Sequence, residues 1–116
     1  FVIETLAGDY LGGISLFRIH PVEHHAELGI VIGEKPYRGR GYGTEAMKLM
    51  LTFGFRELAL HRLYLRVFDF NEGALKSYRK CGLVEEGRLR EAYYREGRFH
   101  DVVIMSILSE EYESAM

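Results

Sequence analysis

Between Arg38 and Ala46 the sequence reads R-G-R-G-Y-G-T-E-A, at the point where an apolar, strand-like run from Leu28 to Ile32 gives way to a helix-periodic one. Glycines at 39, 41 and 43 let the backbone take positive φ and approach a ligand closely. The first turn of the following helix presents unpaired N–H groups and the positive end of the helix dipole. The chemistry this suits is the binding of a phosphate or pyrophosphate, with Arg38, Gly39, Arg40, Gly41, Tyr42, Gly43 and Thr44 as the cradle. A single exposed dipole contact contributes only about 0.3–1 kcal/mol, so several N–H groups must converge on a di-anion. Two familiar nucleotide loops do not fit. A Walker-type loop needs a lysine before Thr44, and a dinucleotide fingerprint starting at Gly39 needs glycine where Thr44 stands.

A second cluster follows in order: Asn71-x-x-Ala74-x-x-x-Tyr78-x-x-x-Gly82-Leu83. Taken together, the two segments resemble the coenzyme-A motifs of the GNAT superfamily of acyl-CoA-dependent N-acyltransferases. Arg38, Gly41 and Gly43 match its R/Q-x-x-G-x-G/A signature, and the Asn71 to Leu83 run is similar to its second motif. The resemblance extends from Phe1 to about Ile107. The phrases A-E-L-G-I-V-I-G, R-E-A-Y-Y-R-E-G-R-F-H-D and V-I-M-S-I-L are similar to the branch that contains ribosomal-protein N-terminal acetyltransferases and spermidine acetyltransferases. It implies a GNAT-like α/β fold: a mixed, mostly antiparallel twisted sheet with a central parallel strand pair and flanking helices. It implies acetyl-CoA as cosubstrate, with Asn71, Lys76 and Tyr78 joining the cradle around it. Main-chain groups of Ile30, Val31 and Ile32, beside a splayed strand pair, would bind the pantetheine amides and polarise the acetyl carbonyl.

Acyl transfer from a thioester to an amine requires a neutral amine, a polarised carbonyl and a proton for the leaving thiolate. Tyr78 is the candidate proton donor, its phenol having an ordinary pKa near 10, and a positioned acid of this kind contributes roughly 10²–10⁴-fold. The alternative is a tyrosine that packs its ring against the core beside Ala74 and Leu75. Glu27 is the candidate base, on the strand leading into the glycine loop and on the face opposite Leu28; a glutamate in a half-exposed strand otherwise simply faces water, and a water chain could serve as the base. His20, His24 and His25 invite a metal reading that their spacing does not support, and no metal is expected. Cys81, the single cysteine, sits beside Arg79 and Lys80 at a helix end, which could lower its pKa, and is read as a small packed hydrophobe rather than a nucleophile, since no His or Asp partner is placed beside it in sequence.

The elements that must position these residues follow from pattern. Phe1 to Thr5 and Tyr10 to Ile19 are strand-like around the turn signal Ala7-Gly8-Asp9, and a third strand spans Glu27 to Ile32. Met47, Met50, Leu51, Gly54, Phe55 and Leu58 recur at helical spacing, and Leu63, Leu65 and Val67 alternate with polar or aromatic residues as in a strand. Strand, helix and strand in that order call for a crossover between parallel strands. A shorter helix is predicted from about Glu72 to Lys80, capped by Asn71 and ended by Gly82. A hairpin is predicted about Arg95-Glu96-Gly97-Arg98, and Ser109 to Met116 reads as a solvated tail.

At 116 residues, 47% hydrophobic and 28% charged, the chain has the size and composition of one globular domain, residues 1–116. A formal net charge of -2 gives no basic footprint for nucleic acid, and no apolar run reaches the ~20 residues of a membrane span. A cytoplasmic setting is expected. The chain starts at Phe1 inside an apolar run, and against the resembled family it is expected to lack an N-terminal strand and a pair of helices. A homo-oligomer is compatible with the Tyr- and Phe-rich C-terminal hairpin. The reading is an N-acetyltransferase acting on a primary amine by direct attack in a ternary complex. The acceptor is placed first as a protein N-terminal α-amine, with a polyamine as the alternative. A non-catalytic acyl-CoA-binding module is the rival from another class; it would keep the cradle and have no use for Tyr78.

Overall fold

The alternation at Leu63, Leu65 and Val67 forms the centre of the molecule in the computed structural model, which describes residues 2–4, 10–32 and 42–114. Those three side chains lie in the core, while Tyr64, Arg66 and Phe68 point to the other face of the same strand. In chain order the elements are β1 (Val2–Glu4), β2 (Tyr10–His20), β3 (His25–Ile32), α1 (Tyr42–Thr52), β4 (Arg62–Phe68), α2 (Glu72–Lys80), β5 (Val84–Arg95), β6 (Arg98–Leu108) and α3 (Ser109–Ser114). The strands form one sheet in the order β1-β2-β3-β4-β6-β5, antiparallel throughout except for the pair β3 and β4. That is the mixed, mostly antiparallel sheet with a central parallel pair expected from the sequence, with α1 making the crossover.

Met47, Met50, Leu51 and Phe55 from α1 and the turn after it, Leu75 from α2 and Tyr112 from α3 all join one buried cluster with Ala26, Leu28, Leu63, Leu65, Val103, Met105 and Ile107. Every described helix therefore contributes to the same core. After Thr52 the helix widens into a π-type turn, Phe53–Glu57, in which the Leu58 N–H donates to the Phe53 carbonyl. The wider turn carries Leu58 off the apolar stripe, leaving it 38% exposed where regular helical spacing would bury it. Gly54 faces Leu63 so closely that a Cβ there would come 2.9 Å from Leu63 Cδ1; the helix needs glycine to lie this near β4.

At the end of α2 the Gly82 N–H donates to the Arg79 carbonyl and the Leu83 N–H to the Tyr78 carbonyl, with Gly82 at φ +98°. This pair of bonds satisfies the last free carbonyls of the helix and requires a left-handed residue at Gly82. The β5–β6 hairpin turns through Glu96 and Gly97, both at positive φ, the mirror-type two-residue turn that suits the twist of paired strands. Along β5 the register with β6 breaks twice, between Glu85 and Gly87 and between Leu89 and Tyr93.

The expected solvated tail is instead a short helix over its described part. Tyr112 is only 8% exposed, stacks on Phe55 with ring centroids 5.0 Å apart, and shares a 2.7 Å hydroxyl hydrogen bond with Thr52. The glutamates at 110, 111 and 113 hide this from a reading of charge alone; one aromatic on the inner face of the helix outweighs them. Among the described residues no helix is long and apolar enough to cross a membrane.

Candidate active site

The parallel strands β3 and β4 are in register at His25 with Arg62, Ala26 with Leu63 and Glu27 with Tyr64, and at no later position. On its other side β3 stays paired with β2 through Ile30, Val31 and Ile32, opposite Ile14, Gly13 and Gly12. From Leu28 to Ile32, main-chain groups directed toward β4 therefore have no strand partner among the described residues. A backbone edge left open in the middle of a sheet can bind an extended chain of amides, because unsatisfied buried N–H and C=O groups are costly and must find partners. The opening between the two strands thus presents main-chain donors and acceptors to which an extended chain of amides can bind.

Two helices meet beside this opening. Tyr42 and Gly43 form the start of α1, and Thr44 in its first turn shares a 2.6 Å hydroxyl hydrogen bond with Ser77 of α2. The Cys81 Sγ lies 3.8 Å from the Thr44 carbonyl. The segment that opens α1 is thus fastened on both sides of Tyr78 in sequence. Arg38, Gly39, Arg40 and Gly41 lie outside the described residues.

Tyr78 packs its ring against the core, and burial, with neighbouring Cys81 adding to it, pushes its phenol above the usual value. The phenol is therefore kept protonated, as a proton donor must be. Packing and proton donation are compatible here, since it is the packing that desolvates the hydroxyl. Burial also pushes the Cys81 thiol up, offset in part by Lys48, which leaves a protonated thiol in the place read as a small packed residue. Asn71 caps α2, its side-chain oxygen accepting from the Ala74 N–H at 3.3 Å. Lys76 is exposed on the same helix.

Glu27 does not face water. It is 5% exposed, with Oε1 accepting from Arg18 Nη1 at 2.8 Å and Oε2 lying 3.6 Å from Arg66 Nε. Sequence alternation places it on the face opposite Leu28, and that holds; what alternation cannot supply is that β3 is an inner strand, flanked by β2 and β4, each contributing an arginine. The same open face carries Tyr64 in register with Glu27, Tyr93 in register with His100, and Phe68 stacked on Tyr93. Of the histidines, His20 and His25 face each other across the β2–β3 turn with centroids 5.3 Å apart, while His24 lies in that turn at positive φ. Among the described residues no three ligand-type side chains converge. Ser77, Arg18 and Arg66 escape a reading of the sequence, because a serine beside a motif tyrosine and two arginines in alternating strands carry no signal until the chain is folded.

An acetyltransferase (GNAT) domain model matches residues 1–84. The spermidine N(1)-acetyltransferase of Vibrio cholerae serotype O1 is 35% identical over 112 residues, covering 97% of this chain and 64% of that protein. A putative ribosomal N-acetyltransferase, YdaF, of Bacillus subtilis is 35% identical over 106 residues, covering 91% of this chain and 57% of that one. Among solved structures, a Vibrio cholerae spermidine N-acetyltransferase in complex with CoA and spermine superposes with a TM-score of 0.90 at 34% identity, over 97% of this chain and 66% of that one. The chain thus spans about three-fifths of the length of these curated relatives. It belongs to the GNAT acetyltransferase family.

Proposed function

We propose that this member of the GNAT family transfers an acetyl group from acetyl-CoA to a primary amine, by direct attack of the neutral amine in a ternary complex. The observation that carries the reading is the loss of β3–β4 pairing after Glu27 and Tyr64, next to a helix that presents a desolvated, protonated Tyr78. When bound, the coenzyme supplies an activated acetyl carbonyl and a thiolate leaving group. In this reading main-chain donors of Ile30 to Ile32 orient the carbonyl. The segment Arg38 to Thr44, with Asn71 and Lys76, holds the phosphates and the pantetheine; Tyr78 gives its proton to the departing thiolate, and the proton shed by the attacking nitrogen passes to water.

For the acceptor we place a polyamine first, because the likeness to spermidine acetyltransferases runs over nearly the whole chain. A second reading, a protein N-terminal α-amine, is favoured by one feature: both oxygens of Glu27 already face guanidinium groups, so this carboxylate is not free for a second cation. The two acceptors differ in acidity. An alkylamine of pKa near 10.4 is neutral in about one molecule in 2,500 at pH 7, whereas an α-amine near 7.8 is neutral in roughly one in seven. Release of free thiol from acetyl-CoA by the full-length enzyme, assayed with spermidine, spermine and Ala- or Ser-initiated peptides, tests both. Turnover of the peptides alone would put the α-amine ahead of the polyamine, and turnover of no amine in the presence of coenzyme binding would leave a non-catalytic module.

A further inference from the structure

Three aromatic rings lie in a row at the end of β4 toward which the parallel strands diverge. Tyr93 stacks on Phe68 with centroids 4.0 Å apart, and Phe68 on Phe70 at 5.4 Å. His100 meets Phe70 edge-on at 4.6 Å, and its Nδ1 lies 3.5 Å from Asp69 Oδ1. The other Asp69 oxygen accepts from the Asp101 N–H at 3.2 Å, which fixes the carboxylate at the rim of the stack. The Arg95 guanidinium sits over Phe70, 5.1 Å from its centroid.

A cation over a ring is common, and three other such pairs occur among the described residues, so Arg95 on Phe70 would mean little by itself. Its company sets it apart. Phe70 remains 39% exposed although it ends a stack, so the ring is not there merely to fill a core. A full negative charge, Asp69, stands beside it. Arg95 has a second place to rest, since its Nε also lies 3.8 Å from Glu96 on the hairpin turn. The group already on the ring can therefore leave without being left unpaired.

We propose that Phe68, Phe70 and Tyr93, with Asp69 at their rim, form a subsite for a remote alkylammonium group of the acceptor, and that Arg95 is its resident place-holder. The outer face of Phe70, where Arg95 now sits, carries the negative lobe of the aromatic quadrupole and attracts an ammonium, while the edges of the stacked rings accept the methylene chain that bears it. The inference rests on the amine-acceptor reading above and deepens it: the enzyme selects amines that carry a second positive charge at a distance from the one acetylated.

Calorimetric titration with 1,8-diaminooctane and with octylamine tests the subsite apart from turnover. The wild type should bind the diamine more tightly. Phe70→Leu should weaken the diamine about fivefold and leave octylamine unchanged, Phe70→Tyr should keep the wild-type preference, and Arg95→Gln should tighten the diamine about twofold. Equal losses for both amines in Phe70→Leu, a weaker diamine in Arg95→Gln, or no diamine preference in the wild type would each overturn the proposal. Diamine binding that depends on Phe70 without any thiol release would keep the subsite and remove the acetyl-transfer reading instead.

Discussion

Thr44 and Ser77 are 33 residues apart in sequence and 2.6 Å apart at their hydroxyl oxygens. This bond joins the first turn of α1 to the residue before Tyr78, and so ties the proposed phosphate cradle to the proposed proton donor. Ser77→Ala should lower kcat/KM for acetyl-CoA about five- to tenfold, the loss expected for one partly buried hydrogen bond. Ser77→Thr, which keeps a hydroxyl, should recover most of it. An alanine variant with unchanged kinetics would show that the bond steadies the helices without setting the site.

Tyr78→Phe keeps the ring packing and removes only the hydroxyl. We expect kcat to fall about 100-fold, with coenzyme affinity little changed in a calorimetric titration. A fall of less than about threefold would mean that Tyr78 contributes packing alone. The pH dependence has a definite sign. Burial raises the phenol pKa in the folded state, so its contribution to stability is fully present below the ordinary value of 10.0 and is lost as pH rises through the higher folded value. Thermal unfolding of the wild type should therefore steepen in its pH dependence only above about pH 10, and that of Tyr78→Phe should do so less.

The Glu27 cluster predicts an asymmetry. The carboxylate is buried, whereas the Arg18 and Arg66 side chains are 58% and 48% exposed. Glu27→Gln frees two arginines that water can solvate, and it should cost about 1 kcal/mol or less. The pair Arg18→Met with Arg66→Met strands a buried charge and should cost about 3–5 kcal/mol. Urea denaturation of the two variants decides it, and a costlier Glu27→Gln would sink the account.

Two glycines with the same crowding should respond differently. A Cβ at Gly54 or at Gly29 would come 2.9 Å from Leu63 Cδ1 or Phe17 Cε1 respectively. Leu63 is fully buried and has nowhere to move, while Phe17 is 39% exposed and can swing outward. Gly54→Ala should destabilise by about 1–3 kcal/mol despite a helix-propensity gain of up to about 1 kcal/mol. Gly29→Ala should stay within about 0.5 kcal/mol of the parent. Chemical denaturation in which Gly54→Ala is the more stable variant would refute the packing argument.

The parts of this fold that are legible in the sequence are those set by local rules. Asn71 and Gly82 mark the two ends of α2, Glu96-Gly97 marks the hairpin, and the alternation through Leu63 and Val67 marks a strand. Each needs only a few neighbouring residues to be recognised. What is not legible depends on partners far along the chain. The burial of Glu27 comes from arginines on two other strands, the docking of α3 from Thr52 and Phe55, and the displacement of Leu58 from a widened turn. The site divides in the same way: Tyr78 stands out by its motif, while Ser77 becomes visible only through Thr44.

The two register breaks in β5 also govern how the molecule behaves toward other copies of itself. As the last described strand on its side of the sheet, β5 presents an unpaired backbone that a neighbouring chain could extend. Between the breaks, only Gly87 to Leu89 run in unbroken register, and Glu85, Glu86, Arg88, Arg90 and Glu91 crowd that stretch with charges of both signs. Cross-β growth calls for about six or seven regular residues of low charge. The outer rim of the sheet is consequently a poor template for fibrils, and concentrated solutions should remain free of thioflavin-binding aggregates for as long as the fold is intact.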